Sequence, residues 1–126
     1  MDTNKALIHQ ELAYAVMGAV YEVHNLLGGG FLEKVYLNAL LEELRLRGIR
    51  AVAQKELAVW FKGKQVGQYF ADIIVEDQIL LELKAVEMLT KAHEAQMLNY
   101  LKATGLRLGI LINFGKERVE TKRLVI

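Results

Sequence analysis

Three polar residues stand where a buried strand should be apolar: Asp72 within YFADIIVED, and Glu82 and Lys84 within ILLELKAV. Burying such charges on neighbouring strands is costly unless they are paired or hold a metal. Side chains alternate across a strand, so Glu82 and Lys84 share one face while Leu81 and Leu83 take the other. If Glu76, Asp77 and Gln78 form a three-residue loop, Val75 pairs with Ile79 and the register places Asp72 opposite Glu82. A two-residue loop would send the two acids to opposite faces. Opposed residues have side-chain carbons about 4.5–5.5 Å apart. Two carboxylates at that separation repel unless a cation lies between them, and an oxygen-seeking ion such as Mg²⁺ is the natural occupant. The chemistry this set suits best is catalysis on phosphate. Lys84 then reads in two ways. It is a counter-ion within a half-buried cluster, or an ammonium that positions or deprotonates a water attacking phosphorus and offsets charge building on the phosphate.

These side chains need a sheet and something to cover it, and the pattern of apolar residues predicts both. Ile8, Leu12, Val16, Val20, Val23 and Leu27 recur at helical spacing behind the capping candidates Asp2, Thr3 and Asn4, predicting a helix over 4–27. Gly28, Gly29 and Gly30 end it. A second helix is expected from Phe31 to about Arg47, with Leu32, Tyr36, Leu40 and Leu44 on its stripe and Gly48 as terminator. The period then becomes strand-like. Strands are expected over 51–61, over about 66–75 after a Lys62-Gly63-Lys64 turn, and over 79–85. A third helix over 88–104, a strand over 107–113 and an edge strand over 118–125 complete the chain. The sum is α-α-β-β-β-α-β-β, an α/β sandwich with a central mixed sheet flanked by helices. No repeat or linker interrupts it, so 1–126 is expected to be a single domain.

The third helix adds polar residues of its own. Gln96 and Tyr100 are four apart, hence on one face, and His93 lies three before Gln96. Mid-helix, that stripe faces solvent unless the helix crosses the sheet over Asp72 and Glu82. For His93 the plain reading is the favoured one. Glu33 and Tyr36 form another pair just after the glycine run. An acid in a first turn is stabilised by the helix dipole whatever else it does, and Tyr36 alone reads as core.

Composition narrows the chemistry further. With 126 residues and 53% hydrophobic content, the chain has ample material for a core. It contains no cysteine, which excludes disulfides, thiolate zinc sites and a cysteine nucleophile, and no serine, which excludes a serine triad. Proline is also absent, leaving the turns to glycine and asparagine. His93-Glu94-Ala95-Gln96-Met97 begins like HExxH but has methionine where the second ligand must stand. The glycine run lacks the lysine of a phosphate loop and follows a helix rather than a strand. Net charge is only +1, yet residues 1–82 carry eight basic and eleven acidic groups while 83–126 carry eight and four. A polyanion, if bound, would therefore meet Lys84, Lys91, Lys102, Arg107, Lys116, Arg118, Lys122 and Arg123, but composition alone favours the plain reading of an ordinary solvated face. Neither a signal peptide nor a membrane-length apolar run is visible, so a soluble, cytoplasmic domain is the expectation.

Taken together, these residues carry a resemblance. Gly30-Phe31-Leu32-Glu33-Lys34-Val35-Tyr36 resembles the signature of the GxxExxY proteins, a group within the PD-(D/E)xK nuclease superfamily. The likeness continues in order through Ala71-Asp72-Ile73, Leu81 to Val86, His93 to Gln96 with Tyr100, and Gly109 to Phe114. It implies a PD-(D/E)xK-like sandwich and a Mg²⁺- or Mn²⁺-dependent site of the RecB type. In that site Asp72 and Glu82 ligate the metal, the backbone carbonyl of Leu83 adds a ligand, and Lys84 handles the water. Glu33 is implied as a further acid, and Gln96 with Tyr100 as a QxxxY element fixing the lysine and the phosphate. Ala71 stands where the superfamily name has proline, but metal binding needs only the carboxylate. The implied partner is nucleic acid, DNA first of all, with a homodimer through the apolar first helix as a hypothesis. Two rivals remain open here: a silent nucleic-acid-binding or regulatory module that keeps the fold, and an interaction domain with an internal salt-bridge cluster.

Overall fold

The computed structural model describes residues 8–126, so the capping candidates Asp2, Thr3 and Asn4 lie outside the described residues. The expected order of elements is found: α1 (Gln10–Leu27), α2 (Glu33–Leu46), β1 (Ala51–Phe61), β2 (Lys64–Val75), β3 (Ile79–Lys84), α3 (Lys91–Thr104), β4 (Leu108–Asn113) and β5 (Glu120–Val125). The five strands form one mixed sheet in sequence order. β3 and β4 run parallel and the other neighbours antiparallel, so α3 is the crossover that the parallel pair requires.

Several boundaries differ from expectation, each for a local reason. Helix α1 starts at Gln10 because Ile8 and His9 form a turn, with His9 at a left-handed φ of 52°, and α2 starts at Glu33, not Phe31, because Leu32 is extended. Lys62 and Gly63, both at positive φ (49° and 81°), close a tight two-residue turn, so β2 starts at Lys64 opposite Phe61. Helix α3 starts at Lys91 because Thr90 caps it. The Thr90 hydroxyl accepts the His93 N–H, and His93 Nδ1 accepts the Thr90 N–H at 3.0 Å. Strand β5 begins at Glu120, whose carboxylate is engaged by Leu89 N–H and by Asn113.

The two faces of the sheet are covered differently. Val16, Val20 and Val23 of α1, with Tyr36, Leu40 and Leu44 of α2, pack on Ile73, Leu81, Leu83, Ile110 and Ile112. On the opposite face Met97, Tyr100 and Leu101 of α3 pack on Leu57, Ala71, Ile74, Leu80 and Leu111. Strand β4, buried on both faces, is accordingly a continuous apolar run ended by Asn113. Helix α3 sits very low over it: a Cβ at Gly109 would overlap Met97 Sδ, so any larger residue there requires the Met97 side chain to move.

The hairpin of β1 and β2 has strands of 11 and 12 residues, against six in each of the others. Beyond Ile73 no third strand pairs with it, and its outer half projects past the sheet. Among the described residues no helix is long and apolar enough to cross a membrane.

Candidate active site

The turn that decides the geometry is the one after β2. Glu76 and Asp77 take left-handed φ (51° and 54°), Gln78 N–H closes onto Val75 C=O at 2.9 Å, and Val75 pairs with Ile79. This is the three-residue loop, and it sets the register that opposes Asp72 to Glu82. The main-chain ladder continues through Ile74/Leu80 and Ile73/Leu81, then stops. At the next position carboxylates replace carbonyls as acceptors. Asp72 N–H donates to Glu82 Oε1 at 3.2 Å, and Leu83 N–H donates to Asp72 Oδ2 at 2.8 Å. The ladder to β1 is interrupted at the same level: between Ala53/Ile73 and Lys55/Ala71 lies Gln54 with φ 54°. Asp72 thus occupies a point where β2 has parted from both neighbours.

Glu82 is 4% exposed. Burial, and then the charge of Asp72, push its carboxyl up to about 8, against a smaller opposing pull from Lys84. The ionised form of Glu82 is therefore disfavoured beside Asp72. Lys84, at the end of β3, donates from Nζ to Gln96 Oε1 at 3.3 Å, so the expected stripe of α3 does look onto the sheet. One turn on, Tyr100 is almost buried, and its hydroxyl is pushed up by burial first and then by Glu82, Tyr69 and Asp72. From the other side Glu33, in the first turn of α2, lines a cavity of about 270 Å³ with Asp72, Gln54 and Leu83. The structure thus brings Asp72, Glu82, Lys84, Gln96 and Tyr100 together at the carboxyl end of β3, with Glu33 across the cavity.

Several residues that matter here are not evident from their types. Tyr36 is core, as its spacing suggests, but its ring stacks on Phe114 at 4.5 Å, and its hydroxyl donates to Gly28 C=O at 2.7 Å and accepts Phe31 N–H at 3.2 Å. It ties the glycine loop to the start of α2, and so fixes where Glu33 stands. Asn113 is fully buried with four hydrogen bonds: Oδ1 accepts from Val86 and Gly115, and Nδ2 donates to Val86 C=O and Glu120. It anchors the segment leaving Lys84. The only hint in the sequence was an asparagine closing an apolar strand. His93 is a capping residue, its Nδ1 accepting the Thr90 N–H, a role not expected from its place in the polar stripe.

The basic C-terminal third does not form one surface. Lys122 lies opposite Leu111 on the α3 side, while Arg123 lies opposite Ile110 on the α1 side and donates to Ile8 C=O at 2.7 Å. Arg107 donates to the Ile126 carbonyl and Lys116 lies 4.0 Å from Glu120. Alternation along β5 splits what the sequence lists together. Of the eight, Lys84 is the one in contact with the cluster around Glu82.

Among the described residues no three acidic or imidazole side chains converge closely enough to cage a metal by themselves. The donors nevertheless fit a hard divalent ion. Mg²⁺ binds through one or two carboxylates and completes its shell with water and phosphate oxygens, and such a cation would relieve what disfavours the ionised form of Glu82 beside Asp72.

Comparison with known proteins adds three findings. The sequence profile of the PD-(D/E)XK nuclease superfamily matches residues 10–124. The crystal structure of SSO0001 is similar with a TM-score of 0.57 at 21% identity, covering 73% of this chain and 48% of that one, which is a likeness of fold. The chain thus spans about half the length of that protein. No curated protein matches the chain.

Proposed function

The chain belongs to the PD-(D/E)XK nuclease superfamily, and from that premise we propose that it hydrolyses phosphodiester bonds in nucleic acid, DNA first of all. The observation that carries this reading is the parting of β2 and β3, where Asp72 and Glu82 oppose each other beside a lysine held by Gln96. Asp72, Glu82 and the Leu83 carbonyl would hold a Mg²⁺ or Mn²⁺ ion, with Glu33 as a further acid across the cavity. When bound, the ion supplies polarisation of a non-bridging oxygen and a water of lowered pKa. Lys84, its ammonium fixed by Gln96, orients that water for attack on phosphorus and offsets the charge gathering on the phosphate, while the bond to the leaving sugar oxygen breaks. Tyr100 places its hydroxyl on the same side for the phosphate. Glu82 would hold such an ion as the carboxylate, so binding would be favoured as pH rises.

The finer assignment to the GxxExxY, RecB-like type is supported by the Tyr36 clamp on the glycine loop and by the Lys84–Gln96 bond. We treat 1–126 as a single nuclease-like domain acting in the cytoplasm. A homodimer belongs to the same proposal. The apolar stripe of α1 is spent on the core, but its outer face leaves Tyr14 and Tyr21 beside an open cavity of about 730 Å³; a monomeric mass in light scattering would remove the dimer.

The test is cleavage of labelled single- and double-stranded DNA and RNA with Mg²⁺ or Mn²⁺. Activity is expected in the wild type and lost in Asp72→Ala, Glu82→Ala and Lys84→Ala, with circular dichroism unchanged. Equal cleavage by wild type and Lys84→Ala would refute the assignment. The alternative is a module that keeps the fold and binds nucleic acid without cutting it, with which the modest net charge of +1 is consistent; metal-independent binding with no cleavage of any substrate would select that one.

A further inference from the structure

The outer half of the β1–β2 hairpin carries large aromatic side chains that stay largely exposed. Trp60 is 63% exposed and Tyr69 47%, both on the side facing α3. Tyr69 pairs with Leu57, whose side chain belongs to the α3-side core, and the bulge between Val59 and Trp60 turns the indole to that side as well. Exposed apolar surface gathered in this way marks an interaction site. With Asn99, Lys102 and Ala103 of α3 as the opposite wall, these rings bound an open groove of about 450 Å³. Gly67, on the same face two residues before Tyr69, has no side chain to fill it.

The groove is continuous with the carboxylate cluster. Tyr69 lies 5.3 Å from Tyr100, ring centre to ring centre, at a tilt of 48°, and Tyr100 stands one helical turn beyond the Gln96 that holds Lys84. An aromatic path therefore runs from Trp60 through Tyr69 to Tyr100 and the acids. The groove's one charged lining residue is basic, Lys102 of α3, and Lys62 and Lys64 stand at the turn that ends the hairpin.

Flat exposed rings beside a lysine suit unpaired bases and their phosphates, since every base offers a π face, whereas a duplex keeps its bases stacked inside. Resting on the hydrolase reading, we infer that the substrate is a single strand, whose bases stack on Trp60 and Tyr69 while Lys102 and the hairpin lysines take its phosphates, leading the chain to Lys84.

The protein contains one tryptophan, so its fluorescence reports Trp60 alone. Titrations in EDTA would use a short oligothymidylate, the corresponding oligouridylate, a duplex of equal length and an apolar peptide. Quenching by a single strand, relieved by salt, is expected, and the stronger of the two oligonucleotides identifies the sugar. In anisotropy, Tyr69→Ala and Trp60→Ala should each weaken single-strand binding by about 5- to 150-fold, with duplex affinity changed less than twofold and Trp60→Phe restoring most of the loss. Both positions are exposed, so the variants should fold, which circular dichroism verifies. No quenching by either single strand, equal losses for duplex, or quenching by the peptide alone would overturn the inference. Quenching with no hydrolysis when Mg²⁺ is added sinks the hydrolase reading and leaves the groove; hydrolysis of single strands without quenching sinks the groove and leaves the hydrolase.

Discussion

Replacing Glu82 by glutamine should stabilise the metal-free protein, and increasingly so as pH rises. The native carboxyl titrates near 8 instead of 4.5, because burial and the Asp72 charge disfavour its ionised form. Between those two values the native state keeps a proton that the unfolded chain has released, so unfolding free energy falls with rising pH across that window. Below it both states are protonated and nothing is lost; above it the full penalty of two facing carboxylates is present. The interval sets a ceiling of about 5 kcal/mol, and sharing of the charge with Asp72 brings the expected gain for the variant to about 2–4 kcal/mol at alkaline pH. Glutamine keeps the oxygen that accepts the Asp72 N–H, and it cannot ionise. For a chain of 126 residues the gain corresponds to a midpoint rise of about 8–15 °C. The assay is thermal unfolding in EDTA from pH 5 to pH 9, comparing wild type with Glu82→Gln. The two curves should nearly coincide at the acid end and diverge above neutrality. Added Mg²⁺ should raise the wild-type midpoint at pH 8 and leave the variant's almost unmoved. A difference independent of pH, or a less stable variant at every pH, would refute the account of Glu82 as a strained, proton-holding acid.

Two further outcomes follow from the packing around the site. Tyr36→Phe keeps the stack on Phe114 but removes both hydrogen bonds to the glycine loop, which should cost about 1–3 kcal/mol in urea unfolding and lower the metal-dependent rate through displacement of Glu33. Gly109→Ala drives a methyl group into Met97, at about 1–3 kcal/mol; pairing it with Met97→Ala should recover part of that loss in the same unfolding experiment, and no recovery would mean that the helix is held off by something else.

The register of Asp72 against Glu82 was legible because it depends on one turn and on the period of two along a strand, both local properties. The convergence of Gln96 on Lys84 was legible for a related reason, since i, i+4 spacing fixes a helix face and the crossover between parallel strands must lie on the sheet. What escaped depends on partners distant in sequence. Nothing in Gln54 announces a left-handed residue in mid-strand; it lies beside Asp72, where β2 departs from its neighbours. The hydroxyl of Tyr36 and the amide of Asn113 read as an aromatic in a stripe and a polar strand end, and their roles reside in main-chain groups of other segments. The basic third is no single surface because net charge along a sequence ignores alternation, which agrees with its reading as an ordinary solvated face: Lys122 and Arg123 are neighbours in the chain and on opposite sides of the sheet.

The glycine at 109 sets a dimension as well as a packing density. Met97 is the immediate neighbour of Gln96, so the depth to which its sulfur sinks onto the bare strand determines how far the Gln96 amide stands from Lys84. The ruler for Lys84 is thus the absence of a methyl group two strand positions away from Leu111, the residue registered beside Glu82. A substitution there would detune the site while leaving each of its polar residues intact, and a survey of charged groups alone would judge such a variant active.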